Sequence, residues 1–157
     1  MNKCITLLSI AIFGMVSFVS CNKNTSVPGY SMKASLITYT DSTTNSEAYN
    51  NGNCQAVIVG TTMVVQGLSS NSTFPNYPYI ELVFPYWSGV LGRYWLDSAA
   101  TSYHARYWVD AVHLRTSSYG NIIINSASDR IISGSFNFTT LDSLTVSDGT
   151  FVARVSR

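Results

Sequence analysis

Charged side chains are scarce in this sequence: Lys, Arg, Asp and Glu together make up 11% of its 157 residues. Lys and Arg number 9 and Asp and Glu number 8, which leaves a formal net charge of +1. A protein that binds nucleic acid usually concentrates basic residues to neutralise phosphates, and this chain has no such excess. We therefore expect no nucleic-acid partner.

Motifs for metal and cofactor binding are also missing. His104 and His113 have no HxH, HExxH or CxxC pattern beside them, so their spacing does not predict a metal site. No glycine-rich loop that would cradle a phosphate is present in the sequence. We therefore expect no bound metal and no cofactor.

Residues that usually carry hydrolytic chemistry are few. No G-x-S-x-G elbow occurs, and serines are too numerous for a grouping of one of them with a histidine and Asp110 to carry weight. Glu47 and Glu81 are the only glutamates, so a carboxylate pair for glycosidic cleavage would need Asp97 or Asp110 as well. We expect a non-catalytic protein, with a small hydrolase acting on glycans as the alternative.

No apolar run in the sequence is long enough for a permanent membrane span. Lys3 precedes an apolar stretch at residues 5–19, which as a helix would reach about 22 Å at about 1.5 Å per residue. The hydrocarbon core of a bilayer is about 30 Å thick, so a permanent span is the weaker interpretation. A positive start, an apolar run and small residues before Cys21 predict an export signal over residues 1–20.

Cysteine is scarce too, since the chain holds only Cys4, Cys21 and Cys54. Signal cleavage would remove Cys4, so Cys21 is a disulfide partner for Cys54, a buried thiol or the acceptor of a lipid. A bridge from a flexible N-terminus would order little of the chain. Residues 18–21, FVSC, resemble the bacterial lipobox, whose cysteine is acylated and becomes the mature N-terminus. We predict lipidation of Cys21, with ordinary signal-peptide cleavage as the alternative.

Residues 21–31 are polar and contain Pro28 and Gly29, which is typical of a tether. Such a segment spans at most about 35 Å, so the single domain predicted over residues 32–157 would stay close to its membrane. Several acyl chains, at about 0.8 kcal/mol per buried methylene, would make release negligible. The sequence thus predicts a lipid-anchored protein of the bacterial cell envelope, in the outer membrane, and leaves its periplasmic or surface face undecided.

The predicted domain shows alternating apolar positions rich in Thr, Ser, Val, Ile and Tyr, the pattern of β-strands. A two-residue turn at Gly60 and Thr61 would form a hairpin that places Cys54 opposite Gly67, so Cys54 is predicted to be an inert core thiol. Residues 80–84 and 132–138 alternate in the same way and are predicted to be strands buried on one side. We predict an all-β domain, either an antiparallel β-sandwich or a flattened meander barrel of about eight strands.

The apolar parity changes near the C-terminus. Leu144 and Val146 are even-numbered and Phe151 is odd, which indicates an insertion at Asp148 and Gly149. We predict a bulge within one long strand rather than a small hairpin, because the preceding strand needs a partner of similar length. Residues 97–109 allow a helix, but their alternating apolar residues favour a strand.

Four segments of the C-terminal half resemble a known family. They are GRYWL (92–96), YHARYWV (103–109), GNIIINSASDRIISGSFNF (120–138) and LTVSDGTF (144–151). Their order is similar to that of a family of small Bacteroidetes lipoproteins with a domain of unknown function. The resemblance is clearest over residues 92–155, and it implies a lipid-anchored β domain with no catalytic residues to transfer.

Aromatic residues are dense in the middle of the chain, around the segment PYWSG at residues 85–89. Most are expected in the core, since sheets bury aromatic side chains on one face. Tyr86 and Trp87 are the predicted exception, because Pro85 and Gly89 bracket them in a loop, where ligands can reach aromatic side chains. Exposed beside Trp95 or Trp108, they would form a contact for a glycan or an envelope protein.

Overall fold

The computed structural model describes residues 29–40, 43–68, 77–86, 90–98 and 102–156. Over these residues the chain forms ten strands: β1 (Ser31–Thr40), β2 (Thr43–Asn51), β3 (Asn53–Val59), β4 (Thr62–Leu68), β5 (Tyr79–Pro85), β6 (Gly92–Asp97), β7 (His104–Trp108), β8 (Leu114–Ala127), β9 (Ile131–Thr140) and β10 (Leu144–Ser156). The prediction of an all-β domain is confirmed. A search of the described residues finds no helix that is long and apolar enough to cross a bilayer. The predicted signal and Cys21 lie outside the described residues.

Seven of the described strands close into a barrel in the order β10-β3-β4-β5-β7-β8-β9, and β9 pairs back to β10. The strands β1, β2 and β6 are additional to this ring. All described pairings are antiparallel except that of β10 with β3, which is parallel. The structure therefore favours the barrel alternative over the sandwich, and the prediction of a purely antiparallel sheet is wrong at this one pairing.

Two long strands explain why the prediction of about eight strands was too low. One edge of β10 pairs first with β1 and then, at residues 154–156, with β3. One edge of β8 pairs with β7 at residues 114–116 and with β6 at residues 119–124. Each long strand thus holds two shorter neighbours end to end, an arrangement that turn signals along the sequence do not reveal.

The interior is filled by alternate side chains from these strands. The largest fully buried side chains include Phe84, Phe138, Phe151, Met32 and Met63. Burial of each such side chain stabilises the fold by about 1.5–3 kcal/mol relative to its exposure to water. The apolar residues of β1 share this interior, so the β1–β2 hairpin belongs to the same core as the ring.

The hairpin predicted at Gly60 and Thr61 is confirmed. β3 and β4 pair in the expected register, with Cys54 opposite Gly67. Cys54 is fully buried, and burial raises the pKa of its thiol to about 12, so the thiol is protonated at neutral pH, as a core thiol should be. Gly67 leaves room for Tyr49, whose hydroxyl oxygen would lie 2.7 Å from a Cβ added at that glycine.

The bulge predicted in the last strand is also confirmed, because the register of β10 against β9 shifts between Val146 and Gly149. Asp148 adopts a φ of 53°, a left-handed conformation that Asp tolerates better than most residues. A Cβ on Gly149 would lie 2.5 Å from the Phe136 ring, so only glycine allows this close approach.

The remaining strand predictions are confirmed with one correction. A helix was the alternative prediction for residues 97–109. The described part of this segment contains the end of β6 and the whole of β7. In β5, Ile80, Leu82 and Phe84 share the inner face as expected. The prediction that β5 is buried on one side is wrong, since its outward residues are buried as well. The reason lies in the side chains of β4 and β7 that flank it.

Candidate functional site

Of the four aromatic residues predicted to form a contact, the structure describes Tyr86, Trp95 and Trp108. Trp87 lies outside the described residues. Tyr86 is half-buried against the core, and its backbone amide donates a hydrogen bond of 2.7 Å to the carbonyl of Thr61. Trp108 is half-buried, whereas Trp95 is 61% exposed.

Trp95 and Trp108 lie far apart along the sheet. Trp95 is opposite Asn121 and Trp108 is opposite Leu114 on the same strand, β8. These two partners are separated by about 23 Å at about 3.3 Å per residue. The structure therefore does not bring the two indoles together, and each belongs to a different part of the outer surface.

The exposed indole lies in a group of outward-facing residues on β6, β8 and β9, which we call the Trp95 face: Arg93, Trp95, Tyr119, Asn121 and Asn137. Residues of β6 alternate, so Tyr94 and Leu96 point to the core while Arg93 and Trp95 point to solvent. The register places Trp95 opposite Asn121, and Asn121 opposite Asn137. A row of outward-facing side chains thus runs across three strands.

Two aromatic side chains dominate the Trp95 face. The guanidinium carbon of Arg93 lies 5.0 Å from the centroid of the Trp95 ring, within the range of a cation–π contact. Tyr119 is 62% exposed and lies diagonally across from Trp95, since it pairs with Asp97. Diagonal neighbours on one face of a sheet are about 7–8 Å apart, within reach of aromatic side chains.

Amides extend the face beside the aromatic rings. The Nδ2 group of Asn121 donates a hydrogen bond of 3.2 Å to Oδ1 of Asn137. The Oδ1 atom of Asn121 has no hydrogen-bond partner among the described residues, although it is buried. The Trp95 face therefore combines an exposed ring surface, the Arg93 cation and the exposed amide of Asn137, a set that can bind a ligand with apolar faces and hydroxyl groups.

A second group of outward-facing polar residues lies on β4, β5 and β7, and we call it the Glu81 cluster: Gln66, Glu81, His104, Arg106 and Trp108. The register places Gln66 and Arg106 on either side of Glu81. The Nε2 group of Gln66 donates to Oε2 of Glu81 at 2.9 Å, and Nη1 of Arg106 donates to Oε1 at 3.2 Å. Both carboxylate oxygens of Glu81, a residue that is only 7% exposed, are therefore occupied.

Three other members of the Glu81 cluster have polar atoms without hydrogen-bond partners. Nε2 of His104, Nε of Arg106 and Nε1 of Trp108 are buried and have no hydrogen-bond partner among the described residues. Trp108 stacks on Tyr79 with ring centroids 5.7 Å apart and an interplanar angle of 12°. Burial lowers the pKa of His104, Arg106 lowers it further and Glu81 opposes them, so the neutral imidazole is favoured.

Sequence reasoning missed the Glu81 cluster because it treated the alternation in these strands as a sign of one buried face. The outward-facing positions of β5 and β7 nevertheless carry a pattern that indicates the cluster. Glu81 lies between Tyr79 and Val83, and Arg106 lies between His104 and Trp108, so each strand carries a charge in its outward-facing row. Opposite charges at the centres of two short strands indicate that the strands pair.

Asp110 and His113 belong to the turn between β7 and β8. Oδ1 of Asp110 accepts hydrogen bonds from the amides of Val112 at 2.9 Å and His113 at 2.8 Å. Oδ2 lies 2.6 Å from Nδ1 of His113. The amide of Val112 and then the ring of His113 lower the pKa of Asp110. This exposed pair stabilises the turn, as an aspartate that bonds the amides two and three residues later commonly does.

In the described part of the chain, no group of three or more His, Cys, Asp or Glu residues is placed to hold a metal ion. Comparison with known proteins found no matching family model, no similar curated protein and no similar solved structure.

Proposed function

We propose that this protein is a lipid-anchored protein of the bacterial cell envelope whose β-barrel domain is non-catalytic and binds a glycan through the Trp95 face. The observation that carries the proposal is the exposure of Trp95. A tryptophan that is 61% exposed on a strand, with an arginine over its ring, leaves a large apolar surface in water. Tryptophan, tyrosine and arginine are also the residues that most often dominate binding energies at interfaces.

The chemistry of the Trp95 face suits a sugar better than a purely apolar ligand. A sugar ring has apolar C–H faces, which stack on an indole, and hydroxyl groups around its edge. Asn137 presents an exposed amide two strands from Trp95, on the far side of Asn121. Arg93 provides further donors, and it is held by its contact with Trp95. An envelope protein that presents an aromatic side chain is the second ligand of this proposal.

Envelope anchoring is supported by the N-terminal sequence. The first strand of the domain begins at Ser31, the residue at which the tether was predicted to end. The signal-like residues 1–20, Cys21 and a polar segment through residue 30 precede it. A tether of this length keeps the barrel within about 35 Å of the acylated end. A surface such as the Trp95 face would then be presented to ligands of the same envelope, in the outer membrane.

Glycan hydrolysis has less support than glycan binding. A glycosidase needs one carboxylic acid to protonate the leaving group and a second carboxylate to act as nucleophile or base. Glu81, the buried glutamate, uses both of its oxygens to bind Gln66 and Arg106. Its carboxylate therefore stabilises the pairing of three strands rather than facing a substrate.

Binding is tested with the full-length lipidated protein in detergent on an array of bacterial envelope glycans. We expect Trp95→Ala to weaken binding about 30-fold, the effect of losing an aromatic residue that contributes about 2 kcal/mol. Tyr39→Ala removes a side chain that is 59% exposed on β1 and serves as the matched control. Equal binding by both variants and the unchanged protein would contradict the proposal for the Trp95 face. A parallel pull-down from envelope extract tests the second ligand. That ligand is selected if no glycan on the array is bound and an envelope protein is captured by the unchanged protein but not by Trp95→Ala.

Anchoring is tested by mass spectrometry of the native N-terminus. We expect a mature chain that begins at Cys21 and carries acyl groups, and we expect Cys21→Ala to move the protein from the membrane fraction to the soluble fraction. Several acyl chains hold a protein at a bilayer effectively permanently, whereas their loss leaves no comparable attachment. A free thiol at Cys21, or a different first residue, would contradict the anchor.

A further inference from the structure

A cleft lies between the free edge of β2 and the β7–β8 hairpin, and we call it the β2 cleft. It has a volume of about 240 Å³ and is lined by Leu36, Thr38, Asn45, Ser46, Glu47, Tyr107, Val109, Arg115 and Leu144. A neighbouring cavity of about 190 Å³ shares Leu36 and Glu47 with it. The β2 cleft by itself is smaller than the usual range for drug-sized ligands, about 300–1,000 Å³, so it suits only a small molecule.

The floor of the β2 cleft is apolar. Leu36, Tyr107 and Leu144 are buried side chains of the core that reach the cleft from three strands. A floor of this kind binds an aliphatic group by removing it from water, at about 25 cal/mol per Å² of apolar surface. The cleft is therefore not simply a polar groove between two hairpins.

Two opposite charges lie on the wall of the β2 cleft. Glu47 pairs with Leu36 across β1 and β2, so its side chain projects from the face of β2 that also carries the buried Tyr49. Arg115 pairs with Tyr107 across β7 and β8 and lines the same cavity. Both charges act on the Tyr107 hydroxyl: burial raises its pKa, Glu47 raises it further and Arg115 lowers it.

These two charges do not neutralise each other. Nε of Arg115 lies 3.1 Å from Oδ2 of Asp142. A guanidinium carries five N–H donors, so Arg115 can bind a second carboxylate in addition to Asp142. Among the described residues, Glu47 forms no ion pair. A carboxylate and a guanidinium that line one cavity without contact can bind a molecule that carries both charges.

We propose that the β2 cleft binds a small zwitterionic ligand, an amino acid or dipeptide with an aliphatic side chain. Its ammonium group binds Glu47, its carboxylate binds the terminal nitrogens of Arg115, and its side chain packs on Leu36, Tyr107 and Leu144. This site is separate from the Trp95 face, so either one can fail without the other.

The test uses isotope-labelled full-length protein in detergent, with leucine, alanyl-leucine and leucyl-alanine as probes in NMR titrations. We expect at least one probe to shift the amide signals of β2 and of the β7–β8 hairpin. N-acetylation or C-amidation of that probe should each weaken binding at least about tenfold, the loss of one hydrogen bond to a charged group. No shift with any of the three probes, or equal binding of blocked and unblocked forms, would overturn the proposal.

Charge-removing variants assign each end of the ligand. We expect Glu47→Gln to weaken binding of the free dipeptide but not of its N-acetylated form, which lacks the ammonium group. We expect Arg115→Gln to weaken binding of the free dipeptide but not of its C-amidated form, which lacks the carboxylate. Asp148→Asn and Arg154→Gln remove exposed charges of the same signs from β10, outside the cleft, and should leave binding unchanged. Trp95→Ala should also leave it unchanged. An equal loss in the control variants would overturn the assignment, since it would indicate a general charge effect.

Discussion

The Trp95 face and the Glu81 cluster have similar residues on the outer surface of the same sheet, yet they differ in how far their tryptophans are exposed to solvent. Each contains an arginine and a tryptophan on one strand, Arg93 and Trp95 on β6 and Arg106 and Trp108 on β7. Trp95 is 61% exposed, whereas the Nε1 atom of Trp108 is buried. Position in the sheet explains the difference. β7 has a neighbour on each side within the closed ring, whereas β6, among the described strands, pairs only with β8.

The types of residue in a surface group therefore do not distinguish a binding surface from a structural one in this fold. Side chains of β4 and β7 cover the outward residues of β5 and bind Glu81. No equivalent neighbour covers Trp95 from the far side of β6 in the described part of the chain. The same types of residue thus stabilise strand pairing at one place and remain available to a ligand at the other.

Substitution of the two tryptophans should give the largest contrast. We expect Trp108→Ala to lower the free energy of unfolding by about 2.5 kcal/mol, because it removes the stacking on Tyr79 and exposes the apolar surface that the indole covers. Trp95→Ala should cost less than about 0.5 kcal/mol, as most exposed substitutions do. Urea denaturation followed by circular dichroism measures both. Trp108→Phe keeps an aromatic ring and removes an unpartnered N–H, so a loss as large as that of Trp108→Ala would contradict the role of stacking.

Substitution of the two arginines should give the next largest contrast. We expect Arg106→Met to cost about 2 kcal/mol, since it leaves the Glu81 carboxylate buried without its cation. This value is below the range for fully buried ion pairs because the Arg106 side chain is 35% exposed. Arg93→Met should cost less than about 0.5 kcal/mol. The double variant Arg106→Met with Glu81→Met should recover part of the loss, and a simple sum of the two single losses would contradict a direct interaction.

The smallest expected effect is the pH dependence contributed by His104. Its pKa is lowered in the folded protein, chiefly by burial, so the unfolded chain binds the proton more readily. Stability from this group is therefore complete above the unfolded pKa of about 6.5 and declines as the pH falls through it towards the lower folded pKa. We expect His104→Gln to flatten the decline in unfolding free energy between about pH 8 and about pH 5. An unchanged slope would contradict the prediction.

Local features of the fold were predictable because adjacent residues determine them. The hairpin at Gly60 and Thr61 follows from a two-residue turn between alternating strands, and the bulge at Gly149 follows from a change in apolar parity. The barrel closure was not predictable in the same way. It depends on β10 meeting β3, whose residues lie about a hundred positions earlier, and on two long strands that each hold two neighbours.

The candidate site was predicted only in part. Trp95 was named among the contact residues, and its exposure agrees with that role. Trp108 was named with it, but its place on β7 gives it a structural environment. Arg93 and Tyr119 were missed because their relation to Trp95 depends on strand pairing, which the sequence does not specify beyond short hairpins.

The sequence by itself determined the strand-forming pattern, the core positions of several strands, the turn and bulge, and the expectation of a lipid at Cys21. These features depend on alternation and on short motifs, which act between neighbouring residues. The tertiary structure alone decided which outward-facing residues are covered, which are exposed and which charges share a cleft. Those outcomes depend on the strands that lie on either side, because the side chains of adjacent strands determine the exposure of every residue between them.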